Sequence, residues 1–141
     1  MFSKLLLAAS IVALTVFAAA PAADANSVPT TGTRIALFIP PATFPADTPF
    51  YIEQGFACQA IVGEPDYVGD CMTASTHFDL WLDGAQQPST VDIDNAPGAY
   101  LKRDLTNYPN GLPAGSHTFV GVFVFDGVVT QTVTATIVFT G

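Results

Sequence analysis

The side chains in this chain that could do chemistry are few, and most of them are acidic. His77-Phe78-Asp79-Leu80-Trp81-Leu82-Asp83 alternates polar and apolar residues. A strand through it sends Phe78, Leu80 and Leu82 one way and His77, Asp79, Trp81 and Asp83 the other. An outward indole between two carboxylates suits a sugar ring or a cationic group, with Asp79 and Asp83 accepting hydrogen bonds. The same alternation suits an aromatic that covers the apolar row of a neighbouring strand. Asp92-x-Asp94-Asn95 offers the oxygen ligands that Ca²⁺ prefers, provided Asp79 or Asp83 lies close by. Its spacing is not that of an EF-hand, and an acidic edge strand that resists edge-to-edge pairing accounts for the same residues.

Other chemistries lack material. Zinc and copper centres want three or more His or Cys ligands, and His77 and His117 are the only histidines. Cys58 and Cys71 have neither C-x-x-C spacing nor a neighbouring histidine. They flank a stretch with the turn formers Gly63, Pro65 and Gly69, which suits a disulfide staple. There is no G-x-S-x-G elbow, and Ser75 and Ser116 would have to find scattered partners. Carboxylate pairs for glycoside cleavage are numerous enough, but a domain of this size rarely builds a deep cleft. The expectation is therefore a protein without catalytic residues, metal or cofactor.

The chain has 141 residues, with 4 Lys plus Arg against 12 Asp plus Glu, a net charge of −8. Without a basic stripe it has no electrostatic grip on nucleic acid or an anionic bilayer. Hydrophobic residues make up 50% and charged ones 11%, a balance that folds rather than stays disordered. Lys4, the apolar run Leu5–Ala20 and the small-x-small Ala23-Asp24-Ala25 form a signal-peptide pattern over residues 1–25. Cleavage there leaves a mature domain, 26–141, with no membrane span. A cut after Ala20 is the alternative. Export places the protein outside the cytoplasm, secreted or periplasmic, where disulfides persist.

The elements that must position these residues are strands. Gly and Pro number 11 each and separate short runs rich in Val, Ile, Phe and Thr, with no sustained helical period. Strands are expected over 33–39, 50–62, 76–83, 90–93, 100–106, 117–125 and 128–140. Between them, PPATFPADTP reads as a connector, and GAQQPS and YPNGLPAG read as turns. Seven strands at this spacing predict an all-β, two-sheet antiparallel sandwich.

The last two strands constrain function most. Phe119, Phe123 and Phe125 share one face and Val120, Val122 and Val124 the other, so this strand is apolar on both sides. In the partner, Val129, Val133, Ala135, Ile137 and Phe139 oppose the comb Thr130, Thr132, Thr134 and Thr136. A two-residue Asp126-Gly127 turn would set the phenylalanines beside the threonines. A three-residue loop with a bulge at Gly127 sets Phe119 and Phe123 with Val129 and Val133, and is preferred because it gathers the bulky side chains. Either way an apolar face remains, to be covered by the loop 84–98, a second copy or a partner.

FDLWLDG, followed downstream by LPAGSHTFVGVFVFDG, resembles the C-strand and the E–F corner with F-strand of bacterial immunoglobulin-like and fibronectin-III-like domains. Asp83-Gly84 ends the first segment, and Leu112, Gly115, His117 and Phe119 carry the second. Both cysteines precede Trp81, unlike the Cys…Trp…Cys order of antibody domains, and His117 stands where a corner tyrosine is expected. The resemblance implies an immunoglobulin-like sandwich and no activity. Together these features predict an exported, non-enzymatic recognition or structural module. Its contact face is expected at Trp81, Asp79, Asp83, Val120, Val122 and Val124, and its partner is an extracellular or periplasmic protein or a second copy. A carbohydrate or Ca²⁺ binder is the alternative, and a small hydrolase the next.

Overall fold

A computed structural model describes residues 28–96 and 99–141; the segment read as a signal peptide lies outside the described residues. In chain order the strands are β1 (Thr33–Ile35), β2 (Thr43–Pro45), β3 (Phe50–Gln59), β4 (His77–Leu82), β5 (Ala85–Gln87), β6 (Thr90–Ala96), β7 (Ala99–Tyr108), β8 (Gly115–Phe125) and β9 (Val128–Thr140). A single described helix, α1 (Tyr67–Met72), lies between β3 and β4. The four-stranded sheet runs β1-β3-β7-β6 and the five-stranded sheet β2-β9-β8-β4-β5, as a two-layer sandwich. Among the described residues no helix is long and apolar enough to cross a membrane.

The expected antiparallel pairing holds except at two margins, where β1 runs parallel to β3 and β2 parallel to β9. The strand expected over 33–39 stops at Ile35 because the chain turns directly after it, the Ile39 N–H donating to the Ala36 carbonyl at 3.2 Å. Pro40 and Pro41, which lack the N–H that would continue a ladder, follow as the chain crosses to the other sheet. It resumes there as β2, with Pro45 tolerated on an edge strand. Two further segments differ from expectation. GAQQPS contributes β5 rather than turn alone, and the disulfide-enclosed stretch contains α1. The strand from Phe50 ends at Gln59, before Val62.

Period-2 alternation buries one face of each long strand. Phe44, Phe50, Tyr108, Phe119 and Phe139 meet between the sheets with Ile35, Leu37, Ile52, Leu80 and Ile137. The Phe50 and Tyr108 rings stack with centroids 4.7 Å apart. Each of these buried side chains contributes roughly 1.5–3 kcal/mol of hydrophobic stabilisation. A second cluster holds Tyr67, Phe78, Phe123 and Phe125 around Cys58 and Cys71, which are joined as a disulfide. That bond ties β3 to α1, and on the chain-entropy account it adds roughly 2–3 kcal/mol.

The β8–β9 hairpin corrects one register detail. Asp126 and Gly127 have φ of 49° and 79°, and Phe125 pairs with Val128, so the turn has two residues and primed geometry. The bulge lies further along instead: Val124 pairs with Val129 but Phe123 with Gln131, leaving Thr130 extra. This displaced bulge restores the expected faces, because Phe119 and Phe123 still point inward with Ala135, Ile137 and Phe139. Val129 is the exception. It sits opposite Val124, on the outer side of the bulge, and is 60% exposed.

Gly121 shows why one residue of β8 has no side chain. A Cβ there would lie 2.0 Å from Oε1 of Gln54 and 3.1 Å from Leu37. The glycine leaves room for the buried Gln54 of the opposite sheet, so a polar side chain crosses the core.

Candidate binding face

On the outer face of the five-stranded sheet, Trp81 lies opposite Val120, Asp79 opposite Val122 and His77 opposite Val124. Thr134 and Thr132 flank Val120 and Val122 on the other side. The structure thus brings together Trp81, Asp79, Val120, Val122 and Val124 as the alternation requires. Trp81, Val120 and Val122 are half-buried and Val124 is buried. Of the loop expected to cover them, Ala85–Gln87 pairs with β4 as β5 at the edge of this sheet, and Thr90–Ala96 pairs with β7 as β6 in the other. His77 Nε2 approaches Asp79 Oδ1 at 3.3 Å, so the stripe carries a polar rim.

Asp83 departs from this face. With φ of 50° it begins the tight Asp83-Gly84 turn that pairs Leu82 with Ala85. Its Oδ1 accepts the Thr118 N–H at 2.8 Å, and its Oδ2 lies 2.7 Å from Nδ1 of His117. Nε2 of His117 lies 3.0 Å from the Pro113 carbonyl, so an imidazolium would donate from both nitrogens. The bond to Asp83 raises the His117 pKa above its ordinary 6.5. The Thr118 N–H, then His117, hold Asp83 below its ordinary 3.8. Asp83 is a corner clamp rather than one of two carboxylates flanking the indole.

This pair sets a pH dependence. His117 has a raised folded pKa, so its contribution is complete below 6.5 and fades as pH rises through the folded value. Asp83 has a depressed one, so its contribution is present above 3.8 and fades as pH falls through the folded value. Melting temperature should fall on raising the pH beyond about 6.5, and His117→Gln should flatten that limb. An unchanged limb in thermal melts of the variant would contradict the assignment.

A set of buried polar side chains in the four-stranded sheet had no signal in the sequence. On β7, Lys102-Arg103-Asp104 alternates across the sheet. Lys102 points inward, and its ammonium donates to the carbonyls of Cys71 (3.3 Å), Thr73 (2.6 Å) and Thr76. Asp104, also inward, accepts the Phe78 N–H at 3.0 Å. Both side chains thereby rivet β7 to the chain entering β4, in the opposite layer. Burial pushes the Asp104 carboxyl up to about 6 despite the Phe78 N–H and the nearby ammonium. Burial also draws the Lys102 ammonium below its ordinary value.

Arg103 points outward and meets Asp92 and Asp94 of β6, with Glu53 of β3 at 3.8 Å. The carboxylate grouping considered for Ca²⁺ is not assembled among the described residues. Asp92 and Asp94 lie on the four-stranded sheet and are paired with a guanidinium, whereas Asp79 and Asp83 belong to the other sheet and its corner. Among the described residues no group of three or more His, Cys, Asp or Glu is placed to hold a metal ion. Compared with protein-family models, curated proteins and solved structures, the chain matches none of them.

Proposed function

We propose that this protein is an exported, immunoglobulin-like, non-enzymatic recognition module that binds a partner protein through the Trp81–Val120–Val122 stripe. Strand order supports the fold kinship: β1-β3-β7-β6 follows the A-B-E-D order and β9-β8-β4-β5 the G-F-C-C′ order of immunoglobulin domains. The parallel β1–β3 pair departs from it. His117, bonded to a carbonyl four residues upstream at the start of β8, occupies the place of a corner tyrosine. The disulfide fits an oxidising compartment, secreted or periplasmic.

The observation that carries the functional reading is the half-exposed apolar stripe on a central strand, rimmed by Asp79 and threonines. A net charge of −8 opposes self-association, so the partner is a second protein with a neutral or basic surface. Val122→Lys should leave the isolated domain folded and monomeric by thermal melt and sedimentation. A photo-crosslinker at Asp79 in the exporting cell should give a heterologous adduct that Val122→Lys removes. Unfolding of Val122→Lys, a homodimeric adduct, or a melt shifted by glycans instead of a protein would each refute this assignment.

A further inference from the structure

β6 joins its sheet by one side only, since the sheet runs β1-β3-β7-β6 and no strand lies beyond it among the described residues. Four strands stand at sheet margins, and the other three are blunted. β1, β2 and β5 have three residues each, and β2 ends in Pro45. Shortness and proline protect a sheet edge from pairing with a further strand. β9 also runs past β2, but there it is broken by the bulge at Thr130, which serves the same end. β6 has seven residues, Thr90–Ala96, and no proline.

The aspartates of β6 do not guard its edge. Asp92 and Asp94 turn to the outer face of the sheet, where both pair with Arg103 and their side chains are 1% and 8% exposed. The residues that alternate with them are left open. Val91, opposite Asp104, and Ile93, opposite Lys102, share the inward face and yet are 45% and 38% exposed. β6 thus buries its acids and exposes its branched apolar side chains, beside a row of backbone groups with no strand to pair. Such an edge is a template for one more strand.

The neighbouring side chains define the occupant. A strand laid along β6 brings alternate residues beside Val91 and Ile93, which favours valine or isoleucine there. Its other residues come beside Asp92 and Asp94, over a group in which Glu53, Asp92 and Asp94 outnumber Arg34 and Arg103. That surplus, on a chain of net charge −8, favours lysine or arginine. A second copy fits poorly. Two β6 strands paired antiparallel, with their inward faces on one side, set Asp92 and Asp94 opposite each other or opposite themselves, which places like charges in register.

We propose that the free edge of β6 receives an extended segment of a second protein, with alternating apolar and basic residues, as the fifth strand of this sheet. Backbone hydrogen bonds supply the affinity, and the alternation fixes the register. The Trp81 stripe lies on the other sheet, so neither reading depends on the other.

The probe is a synthetic peptide, Lys-Val-Lys-Val-Lys-Val-Lys, which matches the seven residues of β6, added to the isotope-labelled exported protein. It should bind, and NMR should show amide exchange along the open edge of β6 slowed about tenfold. The same peptide with every backbone nitrogen methylated keeps its charges and side chains but cannot pair as a strand, and it should not bind. Glutamate in place of each lysine should weaken binding at least about tenfold. Val91→Lys puts an ammonium on the inward side of the edge and should weaken binding about tenfold with the melt unchanged, since the position is half-exposed. Should that variant unfold, the methylated peptide on the unmutated protein decides. No binding, equal binding by the methylated peptide, protection confined to β3, β5, β9 or the Trp81 stripe, or a dimer formed through β6 by the protein alone would overturn the proposal.

Discussion

Arg103→Met should lower the free energy of unfolding by about 3–5 kcal/mol, read from urea denaturation. An exposed ion pair would give about 0–1 kcal/mol on the same substitution, so burial decides the magnitude. Arg103 is 14% exposed at its side chain, and its partners Asp92, Asp94 and Glu53 are 1%, 8% and 9% exposed. Removing the guanidinium leaves Asp92 and Asp94 out of water and without their counter-charge, whereas Glu53 keeps Arg34 at 3.2 Å. The loss measures the stranded anions rather than any net gain from the intact cluster, because assembling it required desolvating every member. Two further variants separate these contributions. Arg103→Lys keeps the charge but cannot fork between Asp92 and Asp94, so an intermediate loss is expected. Adding Asp92→Asn and Asp94→Asn to Arg103→Met should recover part of the stability. A loss below about 1 kcal/mol for Arg103→Met would mean that water reaches the cluster.

The strands that proved easiest to read, β4, β8 and β9, are those with clean two-residue periods. Val128–Thr140 is bounded as the alternation predicts, and Phe78 and Leu80 are buried as their spacing requires. The hairpin was harder because two devices give the same faces: a three-residue loop, or a two-residue turn followed by a bulge. Asp-Gly accommodates the primed turn, and Thr130 absorbs the slip. Nothing in Val129-Thr130-Gln131 marks a bulge in advance. β2 and β5, each of three residues, are held by their neighbours and carry too few residues to show a period.

β7 was illegible for a stronger reason. Hydropathy would aim Leu101 and Leu105 at the core and leave Lys102 and Asp104 in water. Yet Phe50 pairs with Tyr108, Ile52 with Thr106 and Gln54 with Asp104, which fixes Lys102 and Asp104 on the inward face. The leucines lie on the other face with Arg103, where the segment from Val28 to Thr31 crosses β7. Only tertiary partners, the carbonyls of Cys71, Thr73 and Thr76 and the N–H of Phe78 in β4, make that inversion tolerable. The stripe around Trp81 was visible in sequence as a face, but the extent of its cover depended on strand order, which alternation does not encode.

Lys102→Met should cost about 2–4 kcal/mol, and the loss should not add to that of the disulfide. The ammonium has three N–H groups and three carbonyl partners, at Cys71, Thr73 and Thr76, all in one stretch of chain. Thr76 extends the arrangement, since its hydroxyl donates to the Asp70 carbonyl at 2.6 Å and accepts the Asp126 N–H at 2.8 Å. A methionine fills the volume but leaves the carbonyls without their donor in a site that admits little water. Some of the penalty is offset, because the methionine escapes the desolvation that draws down the lysine's pKa. Cys71 belongs to the same stretch, and its bond to Cys58 anchors it to β3 as Lys102 anchors it to β7. Breaking either anchor frees residues that the other was ordering, so the second loss is smaller than it would be alone. Reduction of the disulfide in the unmutated protein should cost about 2–3 kcal/mol. In Lys102→Met the same reduction should cost at least about 1 kcal/mol less, a coupling in the range expected for groups sharing one loop. Amide exchange at Thr76 and Phe78 should accelerate in the variant before reduction, which distinguishes local release from global unfolding. Strict additivity, with exchange at Phe78 unchanged, would show that the lysine rivets the sheets independently of the disulfide loop.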